Sequence, residues 1–151
     1  MLATMKLPRI LLAVVALAAC RNQDEAGAEA LWDEVHDADY QATWARAPGF
    51  PGRTPSSASH GDFVDIYIND VLVEALASGE KLTAWPEGSV IVKDGFTGEH
   101  PRLVAIMEKR EGGWFWAEYE PTGEVDFSGE PRVCTKCHDA GADYVRAFGF
   151  P

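Results

Sequence analysis

The chain has 151 residues, of which 46% are hydrophobic and 25% charged, a composition that suits one globular domain. Its formal net charge is −11, and this excess of acid argues against nucleic acid or an anionic lipid surface as the main partner. The acidic surface would suit a basic partner protein, or it could serve solubility alone.

The first residues have the pattern of an export signal. Lys6 and Arg9 give a positive start, and Ile10–Ala19 is an apolar run of ten residues, too short to span a bilayer. Cys20 then ends the sequence Leu-Ala-Ala-Cys, which resembles the lipobox of bacterial lipoproteins. We therefore predict a signal peptide over residues 1–19 and a lipid anchor at Cys20, on the periplasmic side of a membrane. Ordinary signal cleavage, which leaves Cys20 as an odd thiol, is the alternative.

A tether and a helix are predicted next. Residues 20–29 are small and polar, which is typical of a tether. Residues 30–44 repeat apolar residues at helical spacing, and Pro48 ends the pattern. His36 lies close to the apolar stripe and is interpreted as a partly buried core histidine. The stripe consists of Trp32, Val35, Tyr40 and Trp44. A loop rich in proline, glycine and serine covers residues 47–59.

Alternating apolar and polar residues predict a strand over residues 63–69. Asn69 or Asp70 can cap a short helix over residues 71–78, which Gly79 is suited to end.

Three further strands are predicted at residues 89–93, 103–109 and 114–119. Gly95 and Gly98 separate the first two of them, and a tight hairpin at residues 111–113 joins the second to the third. Residues 139–148 are predicted to form a closing helix. Four strands with short connections, a leading helix and an inserted helix predict an α+β fold, with a mainly antiparallel sheet in a single domain over residues 30–151.

Residues 134–138 read Cys-Thr-Lys-Cys-His, the spacing by which a protein attaches haem covalently. Two thiols one helical turn apart can each add to a vinyl group of haem, and the histidine after them can bind the iron. The motif occurs once, so we predict one covalently attached haem c, with Cys134 and Cys137 as attachment sites and His138 as the proximal iron ligand. Attachment of this kind is completed outside the cytoplasmic membrane, which agrees with the export signal.

Other interpretations of the cysteine pair remain open. Structural zinc needs four ligands, and beside Cys134 and Cys137 the chain offers only scattered histidines at His36, His60 and His100. A redox-active pair is expected near a βαβ pattern, whereas this pair lies at the end of a β-rich chain. A disulfide over a short loop is possible in an exported protein.

Several segments around the motif, in this order, resemble the cytochrome P-460 family and its relatives, the beta-type cytochromes c-prime. The segments are His60-Gly61, residues 67–70, residues 85–93 (Trp-Pro-Glu-Gly-Ser-Val-Ile-Val-Lys), residues 107–110, residues 114–119 (Trp-Phe-Trp-Ala-Glu-Tyr), the haem motif, and residues 141–145. The resemblance covers residues 30–150.

The resemblance implies an antiparallel sheet, a homodimer and five-coordinate iron with an open distal side. Members of the cytochrome P-460 branch carry a lysine cross-linked to the porphyrin and oxidise hydroxylamine, whereas the c-prime branch has a phenylalanine cap and binds gases such as nitric oxide. Lys93 is our first candidate for the cross-linked lysine, because it ends an apolar strand; a strand-end lysine that reaches solvent is the alternative. Lys109 is the second, although its place before a turn suggests a solvated side chain.

Glu118 shares a strand face with Trp114 and Trp116, by alternation. A carboxylate among tryptophans would have a raised pKa and could accept protons during oxidation of a bound nitrogen compound. A solvated glutamate at a strand end is the alternative. Candidates for an apolar cap over the iron are Phe63, Phe96 and Phe115.

These observations predict an exported cytochrome that binds or oxidises small nitrogen compounds, with a redox partner protein that could be basic. The alternative is an electron-transfer cytochrome, which needs a sixth iron ligand, usually methionine. The mature chain keeps only Met107, which lies within a strand and is interpreted as a core residue.

Overall fold

The computed structural model describes residues 23–151. The predicted signal peptide and Cys20 lie outside the described residues. The helices are α1 (Gln23–Asp37), α2 (Tyr40–Thr43), α3 (Asp70–Ala77) and α4 (Arg132–His138). The strands are β1 (Ala45–Arg46), β2 (Thr54–Pro55), β3 (Phe63–Ile68), β4 (Val90–Thr97), β5 (His100–Arg110), β6 (Gly113–Tyr119) and β7 (Val125–Gly129).

The strands form one seven-stranded sheet in the order β1-β3-β4-β5-β6-β7, and β2 pairs with β3 as well. Every strand pair in the described part of the chain is antiparallel. The predicted α+β fold with an antiparallel sheet is therefore confirmed. Within residues 23–151, no helix is both long enough and apolar enough to span a membrane.

One face of the sheet is covered by α1, and we call it the helix face. Ala28, Leu31 and Val35 of α1 are fully buried against it. The sheet residues that meet them are Tyr67, Val90, Val92, Val104, Ile106, Phe115, Ala117 and Tyr119. The Tyr119 hydroxyl donates a hydrogen bond of 2.6 Å to the backbone oxygen of Ala28, which fixes α1 on the sheet.

The other face carries the alternate residues of the same strands, and we call it the pocket face. It packs against α3 and the C-terminal segment, with Trp85, Trp114 and Trp116 among its buried side chains. Asn69 caps α3 by accepting from the backbone N–H of Leu72, as its sequence position predicts. Because both faces are buried, the central strands read as nearly continuous apolar runs.

The tether prediction was wrong for residues 23–29, because α1 begins at Gln23. The small side chains there serve close packing: Ala28 is fully buried, and a Cβ on Gly27 would lie 3.2 Å from the Phe115 ring. The helix also ends earlier than predicted. Asp39 adopts a left-handed conformation (φ 50°) that separates α1 from α2, and aspartate tolerates this better than most residues.

Two further expectations for single elements were wrong. His36 is exposed, and its ring stacks on Trp32 at 3.9 Å instead of entering the core. Residues 139–148 do not form a helix: Asp143 and Tyr144 have φ values of 46° and 66°, which bend this segment back on itself. The helix at this end of the chain is instead α4, which carries the cysteine pair.

The strand pattern was also incomplete. β4 does not end before Gly95 but continues to Thr97, with a β-bulge between Gly95 and Phe96. The two-residue strands β1 and β2 and the edge strand β7 were missed. β7 has mostly exposed or half-buried residues, so it lacks the apolar alternation by which a strand is recognised.

Candidate functional site

Helix α4 places Cys134, Cys137 and His138 beside one another at the edge of the pocket face. Positions three apart on a helix lie on the same side, so both thiols reach the same space. Cys134 is half-buried, and burial raises the pKa of its thiol. Cys137 is exposed, and Arg146 donates to its backbone oxygen at 3.0 Å and to its Sγ at 3.4 Å.

A cavity opens between α4, the C-terminal segment and the pocket face. Its volume is about 270 Å³, close to the lower end of the usual range for ligand pockets, and it is partly open to solvent. Cys134, Cys137 and His138 all line it. The other lining residues come from the loop before β3, from β3 to β7 and from the C-terminal segment, and include His60, Ile66, Ile91, Lys93, Arg102, Leu103, Ala105, Met107, Trp116, Glu118, Phe127, Val145 and Arg146.

The strand register places Lys93 and Glu118 in one row across the pocket face. The row runs Ile66, Lys93, Ala105, Glu118, Phe127, one residue from each of five adjacent strands. Lys93 and Glu118 are therefore two strands apart, or roughly 10 Å between backbones. The small side chain of Ala105 separates them and leaves open space between the amine and the carboxylate.

Lys93 is half-buried in the cavity wall. Burial lowers the pKa of its amine, and the Cys137 thiol and Glu118 oppose that effect only in part. A lysine with a lowered pKa has more of the neutral amine, the form that acts as a nucleophile or a base. Among the described residues that line the cavity, Lys93 is the one lysine.

Glu118 lies on the face of Trp114 and Trp116, as the alternation of the strand predicts, and its side chain is 21% exposed. Burial raises the pKa of its carboxyl, and the nearby Asp126 raises it further. Glu118 thus has the raised pKa that the sequence suggested.

His60 was missed as a site residue by sequence reasoning, which counted it among the scattered histidines. Its ring lines the cavity, with its Nε2 3.9 Å from a Glu118 oxygen, too far for a hydrogen bond. Its Nδ1 is buried and has no hydrogen-bond partner among residues 23–151. Burial lowers the pKa of this imidazole to about 3, with Lys93 and His138 adding to the effect, so the ring is neutral at pH 7. The only signal was His60-Gly61 among the segments that resemble the family.

His138 is 9% exposed, and its ring centroid lies 4.7 Å from that of Trp116. Its Nδ1 is 2.9 Å from the backbone oxygen of Tyr144. Because a carbonyl can only accept, Nδ1 carries the proton and the lone pair is on Nε2. This is the arrangement by which proteins commonly orient a metal-binding imidazole.

Two other candidates, Lys109 and Met107, are largely buried. Lys109 is on the pocket face but is not solvated, because its Nζ forms an ion pair of 2.8 Å with Asp143 and both side chains are 14% exposed. Met107 is a buried residue that also contributes to the cavity wall.

The three phenylalanines proposed as a cap also lie outside the cavity. Phe115 packs on the helix face, Phe96 stacks under Arg53 at 3.4 Å, and Phe63 is half-buried at the start of β3. Phe115 was misplaced because alternation puts it on the face opposite to Trp114 and Trp116. The phenylalanine that does line the cavity is Phe127, on the strand that was missed.

An antiparallel α+β domain whose cysteine-histidine helix borders a mostly apolar cavity has the features of a haem-binding domain. The family model described as Cytochrome P460 matches residues 38–146, and the chain belongs to this family. The family implies a haem cofactor, so the protein is a haem cytochrome. A search of curated proteins found no match.

Proposed function

We propose that the protein is a c-type cytochrome that binds small nitrogen compounds at an open position of its haem iron, and that it oxidises hydroxylamine. Cys134 and Cys137 would hold one haem covalently, and His138 would be its proximal ligand. The observation that carries this proposal is the single cavity that brings these three residues together with Lys93 and Glu118.

The residues present fit a haem. Two free thiols on one side of a short helix can react with two vinyl groups, and the Nε2 lone pair of His138 is available for iron. Ile66, Ile91 and Met107 give the apolar walls that a porphyrin ring needs. Arg102 and Arg146 also line the cavity and could pair with the haem carboxylates.

When bound, the haem would supply a redox-active iron that can take a small ligand. Oxidation of hydroxylamine removes protons as well as electrons, so the cavity must contain a proton acceptor. Glu118 is our choice, since a raised pKa brings a carboxylate closer to the pH at which it exchanges protons efficiently. Lys93, whose pKa is lowered by burial in the cavity wall, is the residue to form the cross-link of the P-460 branch.

An absorption spectrum of the reduced protein tests whether the protein belongs to the P-460 branch or to the c-prime branch. A strongly red-shifted Soret band supports a lysine cross-link, which Lys93→Arg should remove and Lys81→Arg, at an exposed site, should not. An ordinary high-spin spectrum combined with nitric oxide binding but no hydroxylamine turnover would place the protein in the c-prime branch. A low-spin spectrum that nitric oxide does not change would refute the open site.

Covalent attachment is tested separately. Replacing both Cys134 and Cys137 by serine should abolish haem that stays bound to the denatured chain, whereas His138→Ala should leave haem attached with altered ligation. Recovery of native-spectrum protein from the double variant would exclude haem c.

The second candidate function is electron transfer by a six-coordinate haem. His60 is a better candidate than Met107 for the sixth iron ligand. The ring centroids of His60 and His138 are 6.2 Å apart. Two imidazoles that bound one metal ion from opposite sides would have ring centroids roughly 6 Å apart, because each metal–nitrogen bond is about 2 Å and each nitrogen lies about 1 Å from its ring centroid. His60→Ala decides between the candidates: a change from low-spin to high-spin iron supports electron transfer, and an unchanged high-spin spectrum supports the open site.

Export, a lipid anchor at Cys20, a homodimer and a basic redox partner complete the proposal. The net charge of −11 supports the basic partner, because association of oppositely charged proteins is steered by long-range attraction. Cys20→Ala should move the protein from the membrane fraction to the soluble fraction without changing its spectrum. Failure of labelled palmitate to enter the wild-type protein would refute the anchor.

A further inference from the structure

Residues 141–145 form a tight loop with an uncommon backbone, directly after α4. Ala142 and Val145 exchange two backbone hydrogen bonds of 2.9 and 3.1 Å. Between them, Asp143 (φ 46°) and Tyr144 (φ 66°) are both left-handed. This conformation is costly for residues other than glycine, and a bulky aromatic residue tolerates it less well than aspartate. Two such residues in succession persist only where the surrounding structure holds them.

Four groups from outside the loop hold it in place. The Asp143 carboxylate accepts from Lys109 Nζ at 2.8 and 3.1 Å and from the backbone N–H of Trp85 at 2.9 Å. The backbone oxygen of Asp143 accepts from Trp114 Nε1 at 2.8 Å, and that of Ala142 accepts from Trp85 Nε1 at 2.9 Å. Lys109 is the only charged member of this set, and a charge-assisted hydrogen bond is the strongest kind among them.

The loop contacts His138 through the backbone oxygen of Tyr144, which accepts from Nδ1 of His138 at 2.9 Å. The direction of this carbonyl is set by the left-handed geometry of residues 143 and 144. A hydrogen bond to the second nitrogen of a metal-bound imidazole fixes its tautomer and orientation and raises its basicity. An interaction that holds Asp143 in place therefore also affects the orientation of His138.

We propose that Lys109 is a positioning residue for the proximal histidine: its ion pair with Asp143 fixes the loop that orients His138 through the Tyr144 carbonyl. This assigns a role to the strand lysine that does not reach the cavity. The inference rests on the proposed function in one respect, that His138 binds the haem iron. It does not depend on the reaction at the distal side.

The test compares Lys109→Met with Lys81→Met, which removes an exposed lysine. In the haem-loaded protein, hydrogen exchange at the Val145 amide should become roughly 10- to 100-fold faster in Lys109→Met, because its loop loses a charge-assisted hydrogen bond. The iron–histidine stretching frequency of the ferrous protein should fall and the reduction potential should rise, because a weaker Nδ1 hydrogen bond makes His138 a poorer electron donor. Lys81→Met should leave all three unchanged.

Two more variants separate positioning from simple stabilisation. Lys109→Arg keeps a charged donor and should restore most of the stretching frequency. Asp143→Asn keeps a residue that tolerates the left-handed conformation but loses the charge, and should reproduce the Lys109→Met shifts. If Lys109→Met lowers the free energy of unfolding while the stretching frequency and the potential stay at wild-type values, the inference is overturned. If His138→Ala leaves the iron ligation unchanged, it is the proposed function that fails, because the ligand is then another residue.

Discussion

Gly95→Ala should displace His60 from the cavity. Gly95 is buried at the bulge of β4, directly beneath the loop that carries His60. A Cβ at this position would overlap the backbone oxygen of His60, and it would lie 3.0 Å from the carbonyl carbon and 3.3 Å from a Leu103 methyl group. Ordinary contacts between carbon atoms are about 3.5–4.0 Å, so the loop must move outward on the order of 1 Å.

The change in the free energy of unfolding follows from two opposing effects. Overpacking of a buried site costs about 1–3 kcal/mol, while replacing glycine by alanine inside a strand returns roughly 0.5–1 kcal/mol. We expect Gly95→Ala to lower the free energy of unfolding by about 1–2 kcal/mol, measured by urea denaturation. Gly52→Ala is the matched control, since a Cβ there meets nothing within 4 Å.

Chemical modification of His60 by diethyl pyrocarbonate reports on the displacement. The reaction should be faster in Gly95→Ala than in wild type, because the half-buried ring becomes exposed. Equal stability and equal modification rates in Gly95→Ala and Gly52→Ala would refute the close packing of this loop on β4.

Two further predictions concern buried acids. Tyr40→Phe removes a 2.8 Å hydrogen bond to the buried Asp94, and it should lower the free energy of unfolding in urea by about 1.5–3 kcal/mol. Tyr67→Phe is the control and should cost much less, because the Tyr67 hydroxyl has no hydrogen bond among the described residues. Burial raises the pKa of Glu118 above its ordinary 4.5, so wild-type stability should fall as pH rises from 4.5 through the folded-state pKa. Glu118→Gln should remove this component, and its stability relative to wild type should grow between pH 4 and pH 7. The same difference in exposed Glu120→Gln would contradict the burial argument.

The sequence was a good guide wherever one strong local pattern decided the structure. Alternation in β3 and β6 separated the two faces of the sheet correctly, which placed Glu118 with Trp116 and not with Phe115. Asn69 capped α3 as its position predicted. What alternation could not supply was the register between strands, and it is the register that puts Lys93 and Glu118 in one row with the small Ala105 between them.

The errors arose where tertiary contacts override local preference. Residues 23–29 look like a linker because they are small, yet Ala28 is small because α1 lies close to the sheet. The segment after α4 has enough apolar residues for a helix. It is held instead in a left-handed loop by Lys109 and two tryptophans that lie 29 to 58 residues away in sequence. No local pattern contains such partners.

Lys93 and Lys109 show this limit most clearly, because both are strand lysines on the same face and the sequence could not distinguish their roles. Burial lowers the pKa of Lys93, so folding favours its neutral form. The contribution of Lys93 to the free energy of unfolding is therefore greatest above its ordinary pKa of 10.5. It declines as the pH falls toward the folded-state pKa. Lys93→Met removes the cost of burying a charged amine, so it should leave the free energy of unfolding at pH 7 unchanged or higher.

Lys109→Met should have the opposite effect. It leaves the Asp143 carboxylate, 14% exposed, without its cation, and breaking a largely buried ion pair from one side costs about 2–4 kcal/mol. Urea unfolding of the two variants at pH 7 therefore tests whether the same substitution on the same sheet face has opposite signs. Equal destabilisation by both would show that Lys93 is held by a partner as strong as Asp143, and the argument that its amine is free to react would fail.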